Sequence, residues 1–240
     1  MRLKAFALRV FKEIIRDPLT LIFGIGFPLV LLLLLSAIQA NIPVSLFEIE
    51  SLTPGIAVFG LSFMTLFSAM VVSRDRSGAF LQRLYTTPIK PAEFILGYTL
   101  PMIPVAVLQT IICYIAAAVL GLEINGSVLL AVIANIPAAV LYISMGLLFG
   151  SILNDKQVGG VCGALLTNLS AWLSGTWFDL NLVGSVFKKI ADVLPFSHAV
   201  ELGRAVLNGG DAASHLLWVA GYALVLLVLA VVFFVRQMKE

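Results

Sequence analysis

The residues best placed for chemistry are three polar side chains in the carboxyl-terminal part of the chain. His198, Glu201 and Arg204 are each three residues apart, so a helix would carry all of them on one face. A metal centre needs more ligands than one imidazole and one carboxylate, so the spacing predicts an ion-paired polar stripe. The cysteines, Cys113 and Cys162, lie in apolar segments and are interpreted as small buried residues, not as a disulfide or a metal pair.

The usual motifs of catalysis do not occur in the sequence. It contains no HExxH, no GxSxG and no GxxxxGK[ST], so it has no carrier for protease or hydrolase chemistry and no phosphate-binding loop of its own. The composition is 60% hydrophobic and 12% charged. Soluble domains are about 25% charged, so these values predict a polytopic membrane protein and not an enzyme.

A charged segment, 74–94, lies between two long apolar runs. Its basic residues are Arg74, Arg76, Arg83 and Lys90. Its apolar residues at the spacing of one helix face are Phe80, Leu81, Leu84 and Tyr85. Pro88 and Pro91 end that helix. A short amphipathic helix held between two spans would act as a lever for a cytosolic partner; the alternative is a basic loop whose arginines only fix the topology.

Six apolar runs are each long enough to cross the hydrocarbon core, which takes about 20 residues. The predicted spans are 19–40, 53–73, 95–120, 128–153, 158–178 and 216–235. Before the first span, the pattern of 1–18 predicts an amphipathic helix that lies in the headgroup layer, and Asp17-Pro18 starts the span itself. The predicted fold class is therefore an all-α membrane protein with six transmembrane helices and an interfacial helix.

The basic residues are distributed unevenly among the loops. With the amino terminus inside, segments 1–18, 74–94, 154–157 and 236–240 hold five, four, one and two of the fifteen lysines and arginines. Both termini are therefore expected in the cytoplasm. The long external segment, 179–215, interleaves apolar and charged residues, which predicts one or two short re-entrant helices broken at Pro195. A solvated amphipathic loop is the alternative.

The predicted spans contain aromatic and neutral polar residues but no ionisable side chain, which disfavours an ion-coupled carrier. Phe59, Phe63 and Phe67 form a stripe that could line or gate a hydrophobic path; helix packing or lipid contact is the alternative. Neutral polar groups in hydrocarbon need partners or a wet cavity. They are Gln109, Asn135, Thr167, Asn168 and Ser170. The spacings Gly146-x-x-x-Gly150 and Gly159-x-x-x-Gly163 permit close helix approach, within the subunit or across a dimer.

Two groups of motifs resemble a known family. The first comprises 54–55 (PG), 74–76 (RDR), 84–88 (LYTTP) and 93–97 (EFILG), and the second comprises 173–178 (LSGTWF), 194–198 (LPFSH) and 204–209 (RAVLNG). The whole chain resembles the membrane-spanning subunit of type-2 ABC transporters, the permease class of bacterial drug, antibiotic, polysaccharide and sodium exporters. The family often has a proline shortly after the LSGTWF motif, where this chain has Asp179 and Leu180, so the shape of the external turn stays open.

The resemblance implies that 74–94 is a coupling helix that docks into a separate ATPase subunit. The residues expected to couple are Arg74, Asp75, Arg76, Phe80, Arg83, Leu84, Tyr85, Pro88 and Glu93. It also implies one transmembrane domain over 1–240 and a homodimer or heterodimer of permeases in the lipid of the bacterial cytoplasmic membrane. Two cytosolic P-loop ATPases would hold ATP and magnesium, whereas this chain would hold no cofactor or metal and bind no nucleic acid.

The expected function is ATP-driven export of a hydrophobic or amphipathic substrate, drug-like or lipid-like. The residues hypothesised to line its path are Phe59, Phe63, Phe67, Asn168 and Trp172. Export of a polysaccharide, a lipid-linked glycan or sodium is an alternative within the same family. An ATP-independent channel or carrier, or a membrane scaffold that transports nothing, is the alternative from other classes.

Overall fold

The computed structural model describes residues 2–78 and 91–237, and every regular element in these ranges is a helix. The helices, numbered in chain order, are α1 (Arg2–Arg16), α2 (Pro18–Gln39), α3 (Ile49–Ser77), α4 (Pro91–Val119), α5 (Gly126–Ile152), α6 (155–173), α7 (Ser185–Val193), α8 (Pro195–Asn208) and α9 (Ala212–Gln237). Two of them contain a π-helical stretch, Ile22–Gly26 in α2 and Gly159–Leu166 in α6.

Among the described residues, five helices are long and apolar enough to cross a membrane: α2, α3, α4, α5 and α9. Each coincides with a predicted span, with ends shifted by up to four residues. The α3 helix extends four residues beyond its predicted span at both ends. At the carboxyl-terminal end, the added charged residues are held by neighbouring helices. The region of the predicted span 158–178 forms α6, which begins earlier at Asp155 and ends earlier at Leu173. Its span across the membrane stays a prediction.

The central helix is α3, which packs on α2, α4, α5, α6 and α8. In its most apolar stretch 89% of the residues are buried, against 17% in α2 and in α9. Close contact with α5 depends on glycine: a Cβ at Gly146 would lie 2.4 Å from the Thr65 carbonyl oxygen, and one at Gly150 would lie 2.7 Å from that of Ala69. This glycine spacing therefore serves a contact within the chain.

The second glycine spacing, in α6, is used at one of its two positions. A Cβ at Gly163 would meet the Leu66 side chain of α3 at 3.2 Å, whereas one at Gly159 would meet nothing within 4 Å. Only Gly163 is therefore in contact with α3. Gly159 leaves the first turn of the π-helical stretch open on that side.

The hydroxyl groups of α3 mostly bond to the backbone of α3 itself. Those of Thr53, Ser62, Ser68 and Ser73 donate to carbonyl oxygens three or four residues earlier, at 2.6 to 3.2 Å. Thr65 differs, because its hydroxyl donates to the Tyr142 carbonyl of α5 at 3.0 Å. The hydroxyl groups of this buried helix are thus satisfied largely without other helices.

The amphipathic helix predicted in 1–18 is present as α1, and its apolar face packs on α4; its location in the headgroup layer stays a prediction. Phe6, Val10 and Ile14 are buried, with exposed fractions of 7%, 0% and 2%. The contact requires glycine at position 97, because a Cβ there would lie 2.1 Å from Cδ1 of Phe6. Phe6 also packs edge-on against Tyr98, with ring centroids 4.8 Å apart. The apolar pattern of α1 thus fixes how the helix is rotated on α4.

The external segment forms a 3-10 turn, Leu180–Leu182, followed by two helices, α7 and α8. The break falls at Leu194, and Pro195 takes the first position of α8, where its missing N–H is tolerated. The α8 helix packs on α3, α5 and α9, as expected for backbone shielded by protein. The Asp179 carboxylate accepts the Asn181 backbone N–H at 2.9 Å and caps the 3-10 turn, which answers the open question of its shape.

Candidate functional site

The last turn of α3 contains a buried carboxylate, Asp75, which is 4% exposed. Two N–H groups of Arg9 in α1 donate to its two oxygens at 2.5 and 2.6 Å, and the Tyr98 hydroxyl of α4 donates at 2.6 Å. The hydrogen bond to Asp75 raises the pKa of Arg9 further above its ordinary value, so the guanidinium stays charged. This paired geometry, with the remaining acceptor site used by tyrosine, is what a buried ion pair requires.

The next residue, Arg76, holds the end of α5. Its guanidinium donates to the carbonyl oxygens of Ser151 and Leu153, the second at 2.6 Å. The last carbonyl groups of a helix have no partner within the helix and carry its negative dipole end, so an arginine satisfies both needs. The carboxyl-terminal ends of α3 and α5 are therefore joined by one side chain.

The residues just before Asp75 contact the start of α6. The hydroxyl of Ser73 lies 3.2 Å from a carboxylate oxygen of Asp155, and Nε of Arg74 lies 3.8 Å from the same oxygen. We call this whole set the Asp75 junction: Arg9, Ser73, Arg74, Asp75, Arg76, Tyr98, Ser151, Leu153 and Asp155. Residues 73–76 thus bind four helices, α1, α4, α5 and α6, directly before the chain enters 79–90.

The structure describes four of the nine predicted coupling residues. Arg74, Asp75 and Arg76 lie together in the Asp75 junction. Glu93 lies in the first turn of α4, where a negative charge interacts favourably with the positive end of the helix dipole. The other five lie outside the described residues: Phe80, Arg83, Leu84, Tyr85 and Pro88. Sequence reasoning missed Arg9 and Tyr98 as members of the junction; the polar face of α1 gave a signal for Arg9, and nothing gave one for Tyr98.

The phenylalanine stripe is buried between α2 and α3. Phe59, Phe63 and Phe67 are 7%, 7% and 4% exposed. The Phe27 ring of α2 lies 6.0 and 5.9 Å from the rings of Phe59 and Phe63, and the Trp177 ring lies 5.2 Å from Phe59. Phe27 itself is 37% exposed, so α2 presents aromatic surface outside the stripe. The stripe packs between helices in this chain, and its part in a substrate path stays a prediction.

The other two residues hypothesised for the path lie apart from the stripe. Trp172 is 52% exposed on α6, and the exposed side chain of Asn168 donates to the Ala164 carbonyl at 2.8 Å. The structure therefore places Asn168 and Trp172 on an open face of α6 rather than beside the phenylalanines. One chain alone does not bring the five hypothesised path residues together.

The neutral polar residues of the spans differ in how they are satisfied. Ser170 bonds to the Tyr142 hydroxyl of α5, Thr167 donates to the Cys162 carbonyl, and Gln109 donates to the Ala57 carbonyl at 3.3 Å. The buried amide of Asn135 and the side-chain oxygen of Gln109 find no hydrogen-bond partner among residues 2–78 and 91–237. Helix contacts therefore account for Ser170 and for the NH₂ group of Gln109 but leave Asn135 unexplained.

A second polar junction lies at the opposite end of α3, around Arg204. Its guanidinium donates to the Ser51 carbonyl at 3.1 Å, to the Gly175 carbonyl at 3.0 Å and to the Glu201 carboxylate at 2.8 Å. The predicted ion pair between Glu201 and Arg204 is thus present. The Thr176 hydroxyl donates to the Gly55 carbonyl at 3.3 Å, so the two groups of family motifs meet here.

His198 departs from the predicted stripe. Its Nε2 bonds to the Asp192 carbonyl, its Nδ1 lies 2.8 Å from Nδ1 of His215, and its ring stacks on Trp218 with centroids 4.9 Å apart. Because a carbonyl oxygen only accepts, the Nε2 of His198 donates to Asp192, and a hydrogen bond between the two facing Nδ1 atoms needs a proton on one of them. The chain's two histidines therefore join α8 to α9 instead of forming a stripe with Glu201.

Similarity to known proteins extends over both junctions. The sequence model of the family described as ABC-2 type transporter matches residues 1–208. This chain belongs to the ABC-2 type transporter family. The match includes α1 to α8, and therefore the whole of the Asp75 junction and the contacts of Arg204. The resemblance found in the sequence is confirmed.

Two relatives of this ABC-2 protein come from Porphyra purpurea and Pyropia yezoensis. Both are called ycf38, and their name describes a transport permease. The Porphyra protein is 29% identical over 223 residues, which cover 87% of this chain and 75% of the relative. The Pyropia protein is 30% identical over 125 residues, which cover 50% of this chain and 43% of the relative. Family and relatives together support a multi-pass membrane permease of the ABC type.

Proposed function

We propose that this ABC-2 permease is the membrane subunit of an ATP-driven exporter and is moved by a separate P-loop ATPase subunit. The observation that carries the proposal is the Asp75 junction. Residues 73–76 bind four helices at the point where the chain enters the charged segment 79–90. A force on that segment would reach α1, α4, α5 and α6 together, because each contact is a charged or short polar bond.

The junction suits a lever better than a passive loop. A loop that only fixes topology needs exposed basic residues and no specific partners. Arg76 instead donates hydrogen bonds to carbonyl groups at the end of α5, and the buried carboxylate of Asp75 accepts hydrogen bonds at both oxygens. Such an arrangement holds the helix ends at fixed positions relative to α3. The proposal therefore assigns the segment after Ser77 to ATPase docking, with both termini and this end of α3 in the cytoplasm.

The proposed exporter contains two permease subunits, each with six spans, of which α6 is the fifth in chain order. The 19 residues of 155–173 would extend about 28 Å as a helix, close to the thickness of the hydrocarbon core. In a dimer, the open faces of α2 and α6 would be available to a second permease. Exposed residues on these faces include Phe23, Phe27, Leu165, Asn168 and Trp172. The proposed path runs between two such subunits, beside the buried phenylalanine stripe.

The proposed substrate is hydrophobic or amphipathic, in the drug-like or lipid-like class. Support comes from the aromatic surface of α2, where Phe23 and Phe27 are 44% and 37% exposed beside the stripe. A rigid aromatic wall offers apolar contact without hydrogen-bond specificity. The buried and unpartnered amide of Asn135 lies in α5 and is not needed for this wall.

The first test is affinity purification of the permease from native membranes in mild detergent. We expect a P-loop ATPase in equal stoichiometry, and we expect amphipathic compounds to stimulate its ATP hydrolysis. A charge reversal, Arg83→Glu, is expected to weaken ATPase docking while the permease still inserts. If the permease purifies alone, well folded, and moves solutes in liposomes without any ATPase, the exporter proposal is wrong and a channel takes its place.

A further inference from the structure

One face of α1 carries cations that the described part of the chain leaves without an ionic partner. The burial of Phe6, Val10 and Ile14 against α4 fixes the rotation of α1. The exposed residues on the other side are Lys4, Ala5, Leu8, Lys12, Ile15 and Arg16. The ion pairs within residues 2–78 and 91–237 involve none of these three cations.

The acidic residues nearby are already engaged. Glu13 pairs with Arg9 at 3.1 Å. The Asp17 carboxylate accepts the Leu19 backbone N–H at 3.1 Å and the Thr20 hydroxyl at 2.9 Å. Arg9 is bound to Asp75. An open groove of about 620 Å³ runs along this side of α1, and Lys12 and Arg16 are the two cations of its lining that remain available.

The same face has an apolar stripe that continues into the first span. Leu8 and Ile15 are 50% and 47% exposed and lie seven residues apart, which places them in line along the helix. Leu19 and Ile22 of α2 follow, with exposed fractions of 61% and 58%. A surface that joins available cations to an apolar stripe fits a molecule with an anionic head and an acyl chain. A soluble anion would use only the cations.

We propose that this face of α1 binds an anionic phospholipid, with the headgroup phosphate at Lys12 and Arg16 and an acyl chain along Leu8 and Ile15. Lys4 lies on the same exposed side and adds attraction for the headgroup. Arg9 lines the same groove and holds Asp75, so an occupied groove bears directly on the Asp75 junction. The proposal depends on the membrane location of the chain and not on ATP-driven export, so the two proposals can fail separately.

The test uses the purified full-length permease and native mass spectrometry. The permease is equilibrated with equal amounts of phosphatidylglycerol and phosphatidylcholine of identical acyl chains. We expect the wild type to retain phosphatidylglycerol preferentially. Each cation near a membrane surface contributes about five-fold in affinity. The double variant Lys12→Gln/Arg16→Gln should therefore lose about 25-fold of the preference.

The matched control is Lys188→Gln/Lys189→Gln, which removes two charges from the exposed helix α7 at the other end of the molecule. It should keep the preference. Both double variants should unfold close to the wild-type temperature, because glutamine suits a helix, no buried residue changes and the control loses only the exposed hydrogen bond from Lys188 to Asn181. Equal loss in both double variants, or none in the first, would overturn the proposal. So would full displacement of the lipid by glycerol 3-phosphate, which would mark a soluble phosphate site, or by a co-purified ATPase, which would mark a protein contact.

Discussion

Replacing Asp75 by asparagine should weaken the docking of α1 on the rest of the protein. Asparagine keeps the shape of the side chain but removes the charge, and its amide group turns a donor toward Arg9 or Tyr98. A hydrogen bond to a charged group contributes about 1.5–3 kcal/mol, and breaking a fully buried ion pair costs about 3–5 kcal/mol. The Arg9 side chain is 36% exposed and keeps Glu13, so solvent reduces the penalty. We expect a loss of about 2 kcal/mol in the docking of α1.

Hydrogen exchange of the purified permease in lipid nanodiscs measures this loss. A change of about 2 kcal/mol corresponds to about thirty-fold faster exchange of the α1 amides, if α1 exchanges by local undocking. The control is Glu13→Gln, which removes a partly exposed pair one helical turn away and should change exchange about two-fold. Equal exchange in Asp75→Asn and Glu13→Gln would refute the reasoning, because the buried carboxylate would then contribute no more than a surface one.

Three further perturbations test other contacts. Arg76→Gln should cost about 1–2 kcal/mol and speed hydrogen exchange at the end of α5, because two carbonyl groups lose their charged donor; unchanged exchange there would contradict the cap. Gly146→Ala should lower stability by about 1–3 kcal/mol in thermal unfolding, because its Cβ would meet the Thr65 backbone, whereas Gly221→Ala, with open space around it, should change stability little. Hydrogen bonds from Ser214 lower the pKa of Asp211. Its stabilisation of the start of α9 is therefore present at neutral pH and lost on acidification through the lowered pKa. The protection of these amides, measured relative to the intrinsic exchange rate at each pH, should fall in acid more for the wild type than for Asp211→Asn, and equal acid dependence would argue against a role for this cap.

Hydropathy and charge predicted most of the helical architecture because each span must be apolar over about 20 residues. The amphipathic α1 and the start of α2 at Asp17-Pro18 were also predictable, since capping and helix periodicity act over a few residues. The extension of α3 to Ser77 was not predictable in this way. Its last turn is charged, and it stays helical because Arg9, Tyr98 and α5 bind it across long sequence separations.

The candidate site was predicted only where local pattern was enough. Arg74, Asp75 and Arg76 were selected through a family resemblance, but nothing local indicates that Arg76 caps α5. The phenylalanine stripe was correctly recognised as a unit, whereas Asn168 and Trp172 were grouped with it although they lie on the open face of α6. Periodicity assigns residues to one face of one helix. It does not tell which helix that face meets.

The internal bonding of the α3 hydroxyls bears on how the chain enters the membrane during synthesis. A lone helix in lipid must satisfy its polar groups by itself, because hydrocarbon offers no partner. In α3 the hydroxyls of Thr53, Ser62 and Ser68 donate to carbonyl oxygens of the same helix, so they need no neighbour. The most buried helix of the protein can therefore be released from the translocation machinery into lipid before α5 is synthesised. Thr65 is bonded to α5 and gains that partner only when the later helix arrives.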